Sequence, residues 1–261
     1  MSVDVVMIGG GNMGAALLGG MIESGRFAPD SLAVVERLDA RRDELGTMFP
    51  DVHVVREVPS AAAAVIAVKP NDVAVAVTSA VAAGATRILS IAAGVTLGSL
   101  SAAAGDGVAV VRAMPNTPAL VGKGASAIAG GVGASAADLD WAASVLGSVG
   151  IVERLEEAQL DAFTGVAGSG PAYVFLLAEA LTAAAVAEGL GADVAERVVA
   201  QLLLGSAMLL DRDRDATQLR VNVTSPGGTT AAGLARFEAA GFDAIVADVV
   251  NAATQRSREL G

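Results

Sequence analysis

The 261 residues contain no cysteine, one histidine, one tyrosine and two lysines, and aromatic residues make up only 3% of the chain. Missing thiols exclude a disulfide framework, a thiolate nucleophile and a cysteine metal site. A single histidine falls short of the usual zinc or iron ligand sets, so no metal site is expected. Basic residues are scarce as well: Lys and Arg total 17 against 28 Asp and Glu, a net charge of −11. Such a surface repels phosphates, and no nucleic-acid partner is expected. Backbone N–H groups still allow a local site for a small anion.

What is present is apolar: 53% of residues are hydrophobic and the mean hydropathy is +0.58. The length fits one large domain or two modest ones. The first four residues, MSVD, lack the basic segment of a secretory signal. Residues 171–190 (PAYVFLLAEALTAAAVAEGL) are long enough to span a bilayer. They carry Glu179 and Glu188 and owe much of their apolar character to alanine. We read them as a helix buried against a second copy of the chain, in a soluble, cytoplasmic protein with no membrane partner.

Short β-branched or apolar runs at residues 3–8, 32–35, 52–55, 65–68, 88–91 and 108–111 alternate with helical or turn-like segments, the helices being clearest at 12–24 and 39–48. Strands alternating with helices predict a parallel, doubly wound α/β sheet. Runs at 126–129 and 151–155 extend it around a helix at 135–149. Beyond residue 157 only helices are expected. One starts at Ser169–Gly170–Pro171 and ends at 189–191, and a second is capped by Asp193 with Glu196 three residues on. After a break at 224–228, helices follow near 229–238 and 243–260. The expected organisation is a Rossmann-type dinucleotide-binding domain, 1–158, followed by an all-helical substrate-binding and dimerisation domain, 159–261.

GGGNMG places Gly9, Gly11 and Gly14 in GxGxxG spacing between the first strand and first helix. In that context Gly9 makes the tight turn, Gly11 admits a pyrophosphate and Gly14 lets helix and strand pack, with Ile8, Asn12 and Met13 completing the loop. Glu36 follows the second strand, where an acid binds the ribose hydroxyls of NAD. Arg37, Arg41 and Arg42 lie close behind and either pair a 2′-phosphate or form a solvated face with Asp39, Asp43 and Glu44. NADH and NADPH both remain open.

Missing residues narrow the chemistry further. Reducing a ketone calls for a histidine, lysine or tyrosine acid. His53 lies at the third strand, Lys69 and Lys123 both precede the helical half, and Tyr173 has no lysine four residues on. The helical half offers hydroxyls instead, at Thr224, Ser225, Thr229 and Thr230. A protonated imine brings its own proton and needs only positioning and modest polarisation.

Six segments run in order through the chain: GGGNMG, AVKP (67–70), AAG (92–94), RAMPNTP (112–118), GSGPAY (168–173) and TSPGGTT (224–230). Together they resemble the pyrroline-5-carboxylate reductase family, the last enzymes of proline biosynthesis. The resemblance implies NAD(P)H-dependent reduction of 1-pyrroline-5-carboxylate to L-proline. It places Ala67, Val68, Lys69 and Pro70 with Ala92, Ala93 and Gly94 beside the cofactor, and Asn116 at the nicotinamide and substrate pocket, unless Asn116 merely caps its turn. Ser225, Gly227, Gly228 and Thr229 would hold the substrate carboxylate, and Thr230 would bond the ring nitrogen. A homodimer is implied, assembled up to a decamer of five dimers. Many members carry Ser-Asn-Arg where this chain has Val35, Glu36 and Arg37, which leaves the nucleotide preference open. The acidic stretch 211–215 either approaches the site or ends a helix. A related reductase of another cyclic imine or a β-hydroxy acid, and a catalytically silent nucleotide-binding regulator, are the alternatives. The β-hydroxy-acid family places a lysine a few residues after a similar turn, and residues 172–177 after Gly170 contain none; the nearly intact C-terminal loop disfavours the silent regulator.

Overall fold

A strand that alternates Val5 and Met7 with Val6 and Ile8, all four buried, must be covered on both faces. The computed structural model describes residues 2–261, and this strand, β1 (Ser2–Ile8), sits inside a sheet. The others are β2 (Leu32–Val35), β3 (His53–Val55), β4 (Ser60–Ile66), β5 (Arg87–Ser90), β6 (Ala109–Met114), β7 (Gly124–Gly130) and β8 (Gly150–Arg154). Their order is β3-β2-β1-β4-β5-β6-β7-β8. On one face lie α1 (Asn12–Glu23), α2 (Asp39–Met48) and α5 (Ala136–Leu146); on the other lie α3 (Val73–Ala82) and α4 (Leu97–Ala104). Each large apolar side chain they bury, such as Leu17, Leu45, Leu100 and Leu146, contributes roughly 1.5–3 kcal/mol.

Two details depart from the sequence pattern. The pattern places the fourth strand at 65–68, whereas β4 begins at Ser60 and ends at Ile66. Alanine is a poor strand former, but between β1 and β5 its small side chain suits a strand packed on both faces. The sheet is also not wholly parallel: β7 runs against β6, and β8 follows β7. Only residues 115–123 separate β6 from β7, too few for the crossover that a parallel pair requires.

Asp138 ties α5 to the start of β5. It accepts from the Ser135 hydroxyl (2.6 Å), the Ser135 N–H (2.8 Å) and Arg87 Nε (2.6 Å), while the Arg87 guanidinium lies 5.3 Å from the Trp141 ring centre. The Ser135 hydroxyl chiefly holds the Asp138 carboxyl below the ordinary carboxylate range; burial opposes it, and the Ser135 N–H and Arg87 add to it. The folded state therefore binds this proton less tightly than the unfolded chain. The resulting stability is complete above about pH 4 and is lost as pH falls through the lower folded-state value. Asp138→Asn is expected to cost about 1.5–3 kcal/mol at neutral pH and to flatten the acid limb of the melting-temperature profile. Parallel acid limbs for the two proteins would exclude this role.

Helices follow Arg154: a 3-10 turn (Glu157–Gln159), α6 (Leu160–Phe163), a π turn (Thr164–Gly168), α7 (Gly170–Ala187), α8 (Ala192–Asp213), α9 (Ala216–Asn222), α10 (Thr229–Ala239) and α11 (Phe242–Leu260). By packing, the first compact unit extends to Ser169 and includes Ala252–Gly261, and the second is Gly170–Asn251. The packing boundary therefore lies later than residue 158. Leu160 belongs to the sheet's core, and Asp161 accepts from the Ser257 hydroxyl at 2.7 Å. The cap of α8 also differs from expectation: Gly191 is its N-cap without a side-chain bond, and Asp193 sits inside the first turn, where its charge favours the helix dipole. Residues 211–215 end α8 and start α9, whose Gln218 N–H donates to Asp215. In the second unit α7 packs on α8, where Ala195 and Val199 are buried, yet Phe175, Leu176, Leu202, Leu204 and Met208 are exposed. The helical stretch Glu157–Ala187 is long and apolar enough to cross a membrane by length and composition.

Candidate active site

The turn after β1 is built around three missing side chains. Gly9 has a φ of +108°, and a Cβ there would stand 2.4 Å from the Ala67 carbonyl oxygen. A Cβ on Gly14 would stand 2.1 Å from the Gly9 carbonyl oxygen, so α1 reaches its position only with glycine. Around Gly11 the space is open, with nothing within 4 Å of a Cβ. Gly11 caps α1 without a side-chain bond, and the first intrahelical bond is Ala15 N–H to Gly11 O. The N–H groups of Asn12, Met13 and Gly14 are therefore outside the helical ladder. Open space above unspent donors at a helix N-terminus fits a dinucleotide pyrophosphate.

Beside this turn a cavity of about 980 Å³ opens at the carboxyl ends of β1, β2 and β4, where the strand order reverses. Open α/β sheets bind ligands at this place. Ile8, Gly9, Gly11, Glu36, Arg37, Ala67, Val68 and Lys69 line it. Asn12, Met13, Gly14, Pro70, Ala92, Ala93 and Gly94 do not. Met13 packs on the core, Ala92 is buried, and a Cβ on Gly94 would meet the Leu260 carbonyl at 3.1 Å. Arg56 and Glu57, unmarked by any motif, do line the cavity because β3 ends at Val55 beside β2.

Glu36 is fixed by the backbone. Its Oε2 accepts from Gly10 N–H at 3.2 Å, and its Oε1 from Arg37 N–H at 2.7 Å and Leu38 N–H at 3.0 Å. Arg41 and Arg42 are paired but not solvated, their side chains being 22% and 19% exposed. Arg41 donates to Gly10 O and Glu44, and Arg42 to the carbonyls of Glu36 and Arg37 and to Asp39. Arg37 is 73% exposed and 4.0 Å from Asp72.

Asn116 is 9% exposed and does not line the cavity. Its amide N–H donates to Ala167 O at 3.0 Å and its carbonyl accepts from Ala125 N–H at 2.9 Å. It clamps the π turn, where Ser169 N–H reaches back to Thr164 O, onto β7. Nearby, Glu157 accepts from Arg112 (2.9 Å) and from Leu97 N–H at the head of α4 (2.7 Å).

In the second unit, the loop before α10 makes one tight turn. Gly228 N–H donates to Ser225 O at 3.1 Å, Gly227 takes φ +71°, and a Cβ on Gly228 would lie 2.4 Å from the Ser225 hydroxyl oxygen. Ala232 N–H to Gly228 O is the first intrahelical bond, which leaves the N–H groups of Thr229, Thr230 and Ala231 outside the ladder. Among the described residues the hydroxyls of Ser225, Thr229 and Thr230 have no hydrogen-bond partner, and all three residues are exposed.

Residues 157–260 match the family model described as pyrroline-5-carboxylate reductase dimerisation, and residues 4–94 match the one described as NADP oxidoreductase coenzyme F420-dependent. The chain is 42% identical to the pyrroline-5-carboxylate reductase of Pseudomonas aeruginosa, over 98% of this chain and 96% of that protein. The chain belongs to the pyrroline-5-carboxylate reductase family. Its fold is similar to that of a pyrroline-5-carboxylate reductase from Coxiella burnetii, with a TM-score of 0.92 at 31% identity over 99% of this chain and 98% of that one. The Plasmodium falciparum pyrroline carboxylate reductase, solved with NADP bound, follows with a TM-score of 0.83 at 27% identity, over 99% and 98%. The family's dimerisation region spans the helices whose apolar side chains stand exposed, and the fold is a Rossmann-type sheet followed by a helical dimerisation domain.

Proposed function

We propose that the chain reduces 1-pyrroline-5-carboxylate to L-proline with NADH or NADPH. One observation carries the reading: a loop at the head of α10 offers three N–H groups and three unpartnered hydroxyls, in a helical half without lysine or histidine. The nucleotide supplies a hydride for the imine carbon. The turn at Gly9–Gly11 and the α1 N-terminus hold its pyrophosphate, and Lys69 at the end of β4 lies along the same cavity. The N–H groups of Thr229, Thr230 and Ala231, with Ser225, bind the substrate carboxylate. The Thr230 hydroxyl bonds the ring nitrogen and holds the protonated imine in line for reduction. No side-chain acid is needed, because the substrate arrives with its proton.

The exposed apolar residues of α7 and α8 support a homodimer in which a second copy covers them, and the family resemblance supports rings of five such dimers in a cytoplasmic enzyme. The test is steady-state oxidation of NADH and NADPH with pyrroline-5-carboxylate, on protein sized by sedimentation. Oxidation dependent on the imine, by a dimer or larger, is expected. Failure with both nucleotides overturns the activity, and an active monomer overturns the assembly.

A further inference from the structure

We propose that this chain selects NADH over NADPH, that Glu36 makes the selection, and that Arg56 is the cation that takes over when the carboxylate is removed. The inference rests on the reading of the cavity as a nucleotide site. Glu36 stands at the end of β2, with its N–H bonded to Val55 O at 3.1 Å. An acid there faces the adenine ribose of a bound dinucleotide.

Three backbone N–H groups grip both oxygens of this carboxylate. Swinging it aside to admit a phosphate would break all three bonds. The middle glycine of the turn, which the GxGxxG pattern does not require, makes the grip possible. A Cβ on Gly10 would stand 3.4 Å from Glu36 Oε2 and 2.4 Å from Leu45 Cδ1. A carboxylate has about four lone-pair sites, so one remains for a ribose hydroxyl, which donates. A 2′-phosphate brings acceptors and negative charge to the same place and meets repulsion.

Cations around Glu36 do not offset it. Arg41 and Arg42 are spent on backbone carbonyls and acids, and Arg37 is 73% exposed, in a solvent-screened surface pair with Asp72. Lys69 follows β4, on the other side of β1. Arg56 follows β3, beside Glu36, without an ion pair among the described residues, but Glu57 next to it brings a second carboxylate to the cavity.

The experiment is calorimetric titration of the full chain with NADH and with NADPH, without substrate. The unmodified protein is expected to bind NADH at least about tenfold more tightly, the least that one charge-assisted hydrogen bond confers. Glu36→Ser should weaken NADH by about 10–100-fold, strengthen NADPH and reverse the order. Adding Arg56→Ala should remove the gain for NADPH and leave NADH as in the single variant. Glu36→Gln, which keeps the shape and one acceptor, serves if the serine variant fails to fold, and should also narrow the ratio. Equal affinities in the unmodified protein, or equal weakening of both nucleotides by the variants, would overturn the proposal. Pyrroline-5-carboxylate takes no part in these titrations, so failure of the proposed reduction and failure of the preference are read separately.

Discussion

Thr230→Ala is expected to lower turnover with pyrroline-5-carboxylate by about 10²–10³-fold at most, while nucleotide affinity stays nearly unchanged. The hydroxyl is exposed and unpartnered at the second position of α10, so its removal leaves no buried group stranded and the fold should not suffer. The ceiling is set by the chemistry: one polarising hydrogen bond is lost, and the substrate still carries its own proton. Ser225→Ala should act differently, raising the Michaelis constant with turnover largely kept, because its loop is proposed to hold the carboxylate rather than the reacting bond. Steady-state kinetics of both variants separates the two effects. Full turnover by Thr230→Ala would remove the hydroxyl from the reaction, yet the carboxylate site would stand, since its N–H donors survive both substitutions.

Gly14→Ala and Gly11→Ala should differ in kind, though both add a single methyl group to the same turn. At Gly14 the methyl would run into the Gly9 carbonyl, which is backbone and cannot step aside. Helix α1 must lift from β1, at about 1–3 kcal/mol, lowering the melting temperature by roughly 2–12 °C and abolishing measurable nucleotide binding. At Gly11 the methyl enters open space, and the residue's extended backbone accepts alanine. Its stability should stay within about 0.5 kcal/mol of the parent, while nucleotide affinity falls at least about tenfold because the methyl occupies the pyrophosphate's place. Thermal melts and titrations on the pair decide the matter; equal melting temperatures for the two variants would refute the packing argument.

Elements whose residues favour one conformation were legible in the sequence. Leu32–Val35 and Asp39–Met48 read residue for residue, because a β-branched run and a charged amphipathic stretch each suit one structure. Ser60–Ala64 did not, since four alanines carry no strand signal and only their neighbours β1 and β5 decide. The short helix α9 was hidden between an acidic run and a turn. The glycine turn and the TSPGGTT loop were readable from local motifs. The grip on Glu36 and the clamp by Asn116 were not: one depends on Gly10, 26 residues away, and the other on Ala167, 51 residues away. Arg56 enters the cavity by strand adjacency alone.

Helix α11 starts in one unit and ends in the other, which orders events during synthesis. The sheet's residues leave the ribosome well before Ser257, which bonds Asp161, and Leu260, which lies beside Gly94. At about 5–20 residues per second, Gly170–Asn251 takes on the order of 4–16 seconds to emerge. A sheet domain that folded in that interval would lack the cover that Ser257 gives Asp161 and Leu260 gives the loop after β5. The unit begun before Gly170 is thus closed only by residues that follow Asn251.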